Sequence, residues 1–293
     1  MTANRTPGKV NEDTTLIDAE MMGIPRIMSI YLIEAGKKCL IDTGTHIEAR
    51  KTLRKLKELN FFPPDIIIIT HSHWDHVQAI PFLSQRAKKL GKEIEIYASE
   101  AAIPNLRDQS LNDVFESGPF NNIEEDIIPL KEGDTVDLDG LTLKIFETPG
   151  HMDDDISILD EKNRNLFVGD LLGMKVADNV FIPPFMPPRW NLDAYLKSID
   201  KLRKIDYETM SLGHFGYIYD EEAKSILDES IANYELYWKA FEENTDHLDD
   251  VPYLIENVIE KLIPKSAFEQ FPEMLVTGVT YWLSQGFKIY KGL

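Results

Sequence analysis

The chain has 293 residues, 43% hydrophobic and 28% charged, enough to bury a full core as one large domain or a core with a small appendage, and its composition excludes extended disorder. Fifty acidic side chains against 31 basic ones give a formal charge of −19, which repels a phosphate backbone unless a basic run is locally concentrated, and none is visible; a nucleic-acid partner is not expected. Cys39 is the single cysteine, so no intrachain disulfide can form, and neither a secretory leader pattern nor an apolar run of about 18 to 20 residues is seen, so the expected location is cytoplasmic.

After a loose start over the first dozen residues, short strands are expected at 14–19, 26–35 and 37–44, the last holding Cys39 in the core. Residues 46–59 place Ile47, Leu53, Leu56 and Leu59 at helical spacing, with Pro63 and Pro64 as the stop. The run "DIIIIT" (65–70) reads as a strand buried on both faces. A helix over 77–90 and a strand over 94–99 follow, then loop and short helix over 100–126. Strand patterns return between 127 and 169, followed by helix 191–203, a short strand at 209–213 and helix 221–243. This repeated order of strands then helix predicts two packed sheets with helices outside. Residues 250–293 read as two amphipathic helices, able to pack on the core, to form a lid, or to form a homodimer interface.

Three of the seven histidines fall within "HSHWDH", residues 71–76. At the chain's His frequency this spacing arises by chance about 0.004 times per chain, so it calls for a physical cause. In an extended segment His71 and His73 face the same way and can present imidazoles to one point. His151 in "TPGHMDDD" adds a third nitrogen and leaves an open fourth position, as in a catalytic metal site. Asp75 and His76, turned aside by the following helix, pair with His214 in "SLGHFG" around a second ion, and Asp170 in "LFVGD" can bridge the two. His46 and His247 match no such pattern and read as solvated.

The ordered set "HSHWDH", His151 after "TPG", Asp170 after "VG" and His214 in "GHFG" resembles the metallo-β-lactamase-fold hydrolase superfamily over about residues 14–245. The resemblance implies an α+β fold, a four-layer αββα sandwich, here a catalytic domain at 1–248 with a C-terminal helical extension at 249–293. It further implies metal 1 on His71, His73 and His151, metal 2 on Asp75, His76 and His214, Asp170 as the bridge, and Asp42 in "LIDTG" as a buried partner for a ligand imidazole. Two divalent ions, zinc first with Fe, Mn or Co as alternatives, lower the pKa of a shared water and make hydroxide available as nucleophile. Asp75 and Asp170 position it and move its proton.

Within the superfamily, flavodiiron-type proteins carry Glu where this chain has His73, and single-iron dioxygenases do not use a full second ligand set. True β-lactamases lack the bridging aspartate. Type II glyoxalases share all seven ligands, but their basic glutathione-binding residues have no clear match here. Quorum-quenching lactonases carry a tyrosine where this chain has Gly173, a gap that Tyr217 could fill from another loop. Residues 176–192 are expected as the pocket wall, with Phe181, Phe185, Met186 and Trp190 joined by Trp74, Phe215 and Tyr217, and Arg189 as the one cation. The expected function is hydrolysis of a small ester, thioester or lactone, with phosphodiester or phosphotriester hydrolysis as the alternative and a non-catalytic metal-binding role as the non-enzyme reading.

Overall fold

A computed structural model describes residues 3–177, 180–264 and 271–293. The chain start, residues 178–179 of the expected pocket wall and 265–270 of the expected extension lie outside the described residues.

The first sheet runs in sequence order: β1 (Gly8–Lys9), β2 (Thr14–Asp18), β3 (Ser29–Glu34), β4 (Lys38–Ile41), β5 (Ile66–Ile68), β6 (Glu95–Ser99) and β7 (Ile127–Leu130). β1 to β4 pair antiparallel, and β4 to β7 pair parallel. The second sheet comprises β8 (Thr135–Asp137), β9 (Thr142–Glu147), β10 (Ile156–Asp160), β11 (Asn165–Phe167), β14 (Thr209–Leu212) and β15 (Gly216–Tyr219), ordered β15-β14-β11-β10-β9-β8. A separate hairpin, β12 (Met174–Ala177) with β13 (Val180–Ile182), follows β11.

The period-2 alternation of side chains sorts these strands into layers. On β3, Tyr31 and Ile33 enter the core between the sheets, while Ile30 and Leu32 enter the outer core under the helices. The isoleucine run divides the same way, Ile66 and Ile68 between the sheets and Ile67 and Ile69 outside, so both faces of β5 are dry. Helices α1 (Ala49–Glu58) and α3 (Ile80–Lys88) cover the first sheet through Ala49, Leu56, Ile80 and Leu83. Helices α4 (Leu192–Leu202) and α5 (Glu221–Glu242) cover the second through Tyr195, Ile199, Ala223 and Ile226. The result is helix, sheet, sheet, helix, the four-layer α+β sandwich expected from the sequence.

The helix expected over 77–90 is two helices, α2 (Trp74–Val77) and α3. Pro81 lies in the first turn of α3, where its missing N–H costs nothing, and that restart separates the metal-site turn from the covering helix. β15 and the β12–β13 hairpin were not expected as strands; β15 begins at Gly216 (φ +117°) and β12 directly follows Gly173 (φ +91°), glycines of positive φ that read as turn signals in a sequence. The C-terminal helix, Glu273–Lys291, packs Leu283 and Phe287 into the outer core of the second sheet and Leu275 against that of the first. It therefore straddles both halves at the edge that carries the histidines.

Candidate metal centre

The five candidate ligand histidines lie in connections at one edge of the two sheets. His71 and His73 follow β5, Asp75 and His76 occupy α2, His151 lies between β9 and β10, Asp170 follows β11, and His214 lies in the β14–β15 turn. Backbone hydrogen bonds join the sheets there, Ile156 N–H to the Thr70 carbonyl (2.9 Å) and Ser29 N–H to Gly213 (2.8 Å), while Thr43 N–H to His76 (2.9 Å) ties α2 to the end of β4. Two groups whose ligand atoms lie within 4.8 Å of one another result: His71, His73, His151 and Asp170, and Asp75, His76 and His214, all buried.

The remote nitrogen of every imidazole has an acceptor. His73 Nε2 donates to the Pro187 carbonyl (3.1 Å), His151 Nδ1 to Pro184 (2.8 Å), His214 Nδ1 to Ile27 (2.8 Å) and His76 Nδ1 to Asp42 Oδ2 (2.7 Å). His71 Nδ1 lies 3.1 Å from Thr70 Oγ1, which spends its own proton on Asp42 Oδ2 at 2.8 Å. In the neutral rings these partners fix the tautomers and leave the inner nitrogens as lone pairs. His71 Nε2 and His151 Nε2 then face His73 Nδ1 at 3.1 and 2.9 Å, three acceptors converging with no donor between them. His76 Nε2 and Asp170 Oδ1 are buried without any hydrogen-bond partner. Only cations satisfy such a donor set, and it fits two divalent metal ions with nitrogen and carboxylate ligands.

Asp170 Oδ2 lies centrally, 3.0 Å from His214 Nε2, 3.3 Å from His76 Nε2, 3.8 Å from His151 Nε2 and 3.9 Å from His71 Nε2. Asp75 Oδ2 is 3.3 Å from His214 Nε2. The electrostatics divide accordingly. Burial, reinforced by neighbouring imidazoles, holds His71 and His73 well below the usual histidine range, and burial lowers His151. Burial also opposes the charged form of His76 and His214, but the carboxylates prevail: Asp170, Asp42 and Asp75 push His76 well above its ordinary value, and Asp170 and Asp75 raise His214 to about 10. The second group thus demands positive charge, which bound metal supplies.

Glycines make room for this packing. A Cβ on Gly213 would lie 2.2 Å from Asp170 Oδ1, and one on Gly169 2.9 Å from the Thr70 side chain.

Several supports escaped the sequence reading. Asp154, buried, accepts from the Ser72 N–H, the Ser72 hydroxyl and Asn105 Nδ2, and so ties the His71–His73 turn to the β9–β10 connection. Asp155 Oδ1 lies 3.8 Å from His71 Nδ1, and burial pushes its carboxyl well above the usual range. The triple acid in "HMDDDIS" was the available signal, since consecutive acids beside a ligand histidine have no reason to be buried otherwise.

The cleft over the ligands is lined by Trp74 and Met186, as expected, together with Phe115, Met174, Leu275, Val279 and Trp282. The other expected pocket residues lie elsewhere. Phe185 and Trp190 belong to an aromatic cluster with Tyr234 (ring centroids 6.0 and 5.4 Å away) beneath the C-terminal helix. Phe181 packs beside the buried Lys175. Phe215 is fully buried between the sheets, and Tyr217, on β15, points into the same core with its hydroxyl tied to Asn4 Nδ2 (2.7 Å) and to the Lys9 carbonyl (3.3 Å). The proline-rich stretch turns Pro183, Pro184 and Met186 to the cleft and its aromatics into the core, where they become scaffold. Arg189 is exposed, 4.0 Å from Asp153, and does not line the cleft. His46 and His247 are exposed, the latter stacked on Tyr253 at 3.8 Å.

The family profile described as the Metallo-beta-lactamase superfamily matches residues 23–214. The chain is 29% identical over 187 residues to a probable metallo-hydrolase, MJ0296, of Methanocaldococcus jannaschii, covering 62% of this chain and 73% of that one. It is 31% identical over 126 residues to a hydroxyacylglutathione hydrolase of Methylobacterium nodulans, covering 43% and 40%. Among solved structures, the metallo-beta-lactamase superfamily protein ST1585 of Sulfolobus tokodaii superposes with a TM-score of 0.57 at 21% identity, over 76% of this chain and 86% of that chain, a likeness of fold. With the sandwich, the two His/Asp clusters at its edge and the profile match together, this chain belongs to the metallo-beta-lactamase superfamily of metal-dependent hydrolases.

Proposed function

We propose that this chain hydrolyses an ester, thioester or lactone at a dinuclear centre, with one ion on His71, His73 and His151, the other on Asp75, His76 and His214, and Asp170 shared between them. The observation that carries the acyl reading is the cleft lining: apart from the ligands it is, among the described residues, apolar or aromatic, with no lysine or arginine to meet the charge of a phosphate. A neutral carbonyl substrate suits that wall, and the 31% likeness to a hydrolase named for an acylglutathione supports it. Zinc is the first assignment, with Fe, Mn or Co as alternatives, since nitrogen and carboxylate donors accept all four.

Two such ions supply a water of lowered pKa and polarise a carbonyl oxygen. The protein's part is orientation and proton handling. Asp42 holds His76 by Nδ1, and Thr70 and Asp42 together hold His71. The carboxylates of Asp75 and Asp170, next to His214, accept the proton lost by the attacking water and return it to the leaving group. Trp74, Phe115, Leu275 and Trp282 screen the cleft from solvent and strengthen these interactions. Gly173 bears on the lactonase comparison: a Cβ there would lie 2.2 Å from the Ile182 carbonyl, so no side chain can project from that position. A tyrosine-assisted lactonase arrangement is therefore not part of the proposal.

Further parts of the reading are a small-molecule substrate, no nucleic-acid or membrane partner, a cytoplasmic location, and a homodimer formed through the C-terminal helices. Among the described residues no helix is long and apolar enough to cross a membrane. The test is metal content per chain by elemental analysis, paired with hydrolysis of a thioester, a lactone, a p-nitrophenyl ester and a bis-aryl phosphodiester by wild type and Asp170→Ala. Two metals with Asp170-dependent acyl turnover support the proposal. Turnover of the phosphodiester alone would replace it with the phosphoesterase reading, and one iron without hydrolysis would overturn both.

A further inference from the structure

Beside the metal cleft lies a second cavity of about 50 Å³, bordered by the β12–β13 hairpin, the helical stretch ending near Ile263 and the C-terminal helix. It shares Ile27, Met174, Leu275 and Val279 with the metal cleft, so the two spaces meet along one apolar wall. Among the described residues its lining carries no charge, and Thr280 is the one hydroxyl. That hydroxyl donates to the Val276 carbonyl at 2.8 Å, within its own helix, and so has no proton left for a ligand. A single water needs roughly 10–15 Å³ of such space and two to four polar partners, so this cavity has room for more than one water, while its described lining side chains offer one acceptor at most, the Thr280 oxygen. Its narrowness selects a slim chain over a ring.

We infer that this cavity receives the unbranched alkyl chain of the acyl substrate, so that the enzyme prefers medium-chain over acetyl esters and thioesters. The inference rests on the acyl-hydrolase reading above for its chemistry, but the cavity stands on its own geometry. A substrate whose carbonyl lies at the cluster of His73, His151, Asp170 and His214 has its acyl tail directed along Met174, Leu275 and Val279 into the apolar space. The C-terminal helix, which reads in sequence as a plain amphipathic stripe, is then the element that sets chain length. Val276, half-buried, lines this cavity and not the metal cleft, which makes it the position at which the two can be separated.

The experiment uses the zinc-loaded protein with p-nitrophenyl acetate, butyrate, hexanoate and octanoate, and in parallel calorimetric binding of 2-decanone, a neutral chain that is not hydrolysed. Each methylene that enters the cavity is expected to raise kcat/KM about fourfold until the space is filled. Val276→Trp, which occupies the space, is expected to lower the octanoate-to-acetate ratio of kcat/KM at least tenfold and to weaken 2-decanone binding tenfold or more. Val276→Ala, safe against misfolding by overpacking, is expected to move the preferred chain length upward. A flat chain-length profile in an active wild type, or 2-decanone binding indifferent to Val276→Trp, overturns the inference. Binding of 2-decanone that Val276→Trp abolishes, in a protein that hydrolyses none of the esters, supports the chain site and overturns the acyl-hydrolase reading instead.

Discussion

Asp42→Asn tests the logic of the metal centre with one atom changed. Asp42 is buried, lies at φ +60°, a conformation asparagine tolerates, and accepts three hydrogen bonds: Thr70 N–H on Oδ1 at 2.9 Å, and the Thr70 hydroxyl and His76 Nδ1 on Oδ2 at 2.8 and 2.7 Å. An amide cannot serve both oxygens' roles. With its NH₂ toward His76, the imidazole must move its proton from Nδ1 to Nε2, the atom that faces the metal position. With its NH₂ toward the Thr70 amide, a buried backbone N–H loses its acceptor, at about 1–3 kcal/mol. Loss of the negative charge weakens the bond to His76 in either orientation. Partners of this kind are worth about 10–100-fold in metal affinity, about 1.4–2.7 kcal/mol. The assay is elemental analysis of wild type and variant after dialysis against graded chelator, with thermal melts alongside. The variant is expected to release one of its two ions at a 10–100-fold lower chelator concentration. Wild-type retention of both ions together with an unchanged Tm would refute the tautomer argument.

Other outcomes follow from the same geometry. Gly213→Ala places a methyl 2.2 Å from Asp170 Oδ1, and the overpacking, about 1–3 kcal/mol, is expected to displace the carboxylate and lower both metal content and turnover; full metal content would show that the turn yields freely. Asp154→Ala strands the Ser72 and Asn105 donors and is expected to cost about 1–3 kcal/mol in a denaturant titration while lowering kcat through misplacement of His71 and His73, a result contradicted by wild-type kcat. For the metal-stripped protein, His214 has a folded pKa raised to about 10 against an unfolded value of about 6.5. Its contribution to stability is complete below pH 6.5 and is lost as pH rises toward 10, so the Tm of the stripped protein should fall across that window, whereas the zinc-loaded protein should hold its Tm. Parallel curves for the two forms would count against a cation requirement at this group.

The sandwich was legible because alternation is a local code: "DIIIIT" and "RIMSIYLIEA" show which residues face which layer once two sheets are assumed, and the structure distributes Ile66 to Ile69 and Ile30 to Ile33 accordingly. The ligand set was legible for a different reason. Metal coordination demands particular atoms, and His71, His73, Asp75 and His76 lie close enough in sequence for strand and helix geometry alone to bring them together. Asp154 was hidden because a carboxylate's role as an anchor depends on which donors surround it, here Ser72 from 82 positions away in the chain.

The walls were decided only by tertiary structure. Trp74 and Met186 line the cleft, yet Phe181, Phe185, Trp190, Phe215 and Tyr217, all aromatic, are built into cores. In their place stand Phe115 and three residues of the C-terminal helix, one of which, Trp282, donates to the Phe115 carbonyl at 3.1 Å across 167 residues. Apolar burial is non-directional, so a hydrophobic stripe specifies that it will be covered without specifying by what. The chemistry of the centre was therefore written in residue identity and spacing, while the shape of the substrate it admits was set by which helix the folded chain laid across it.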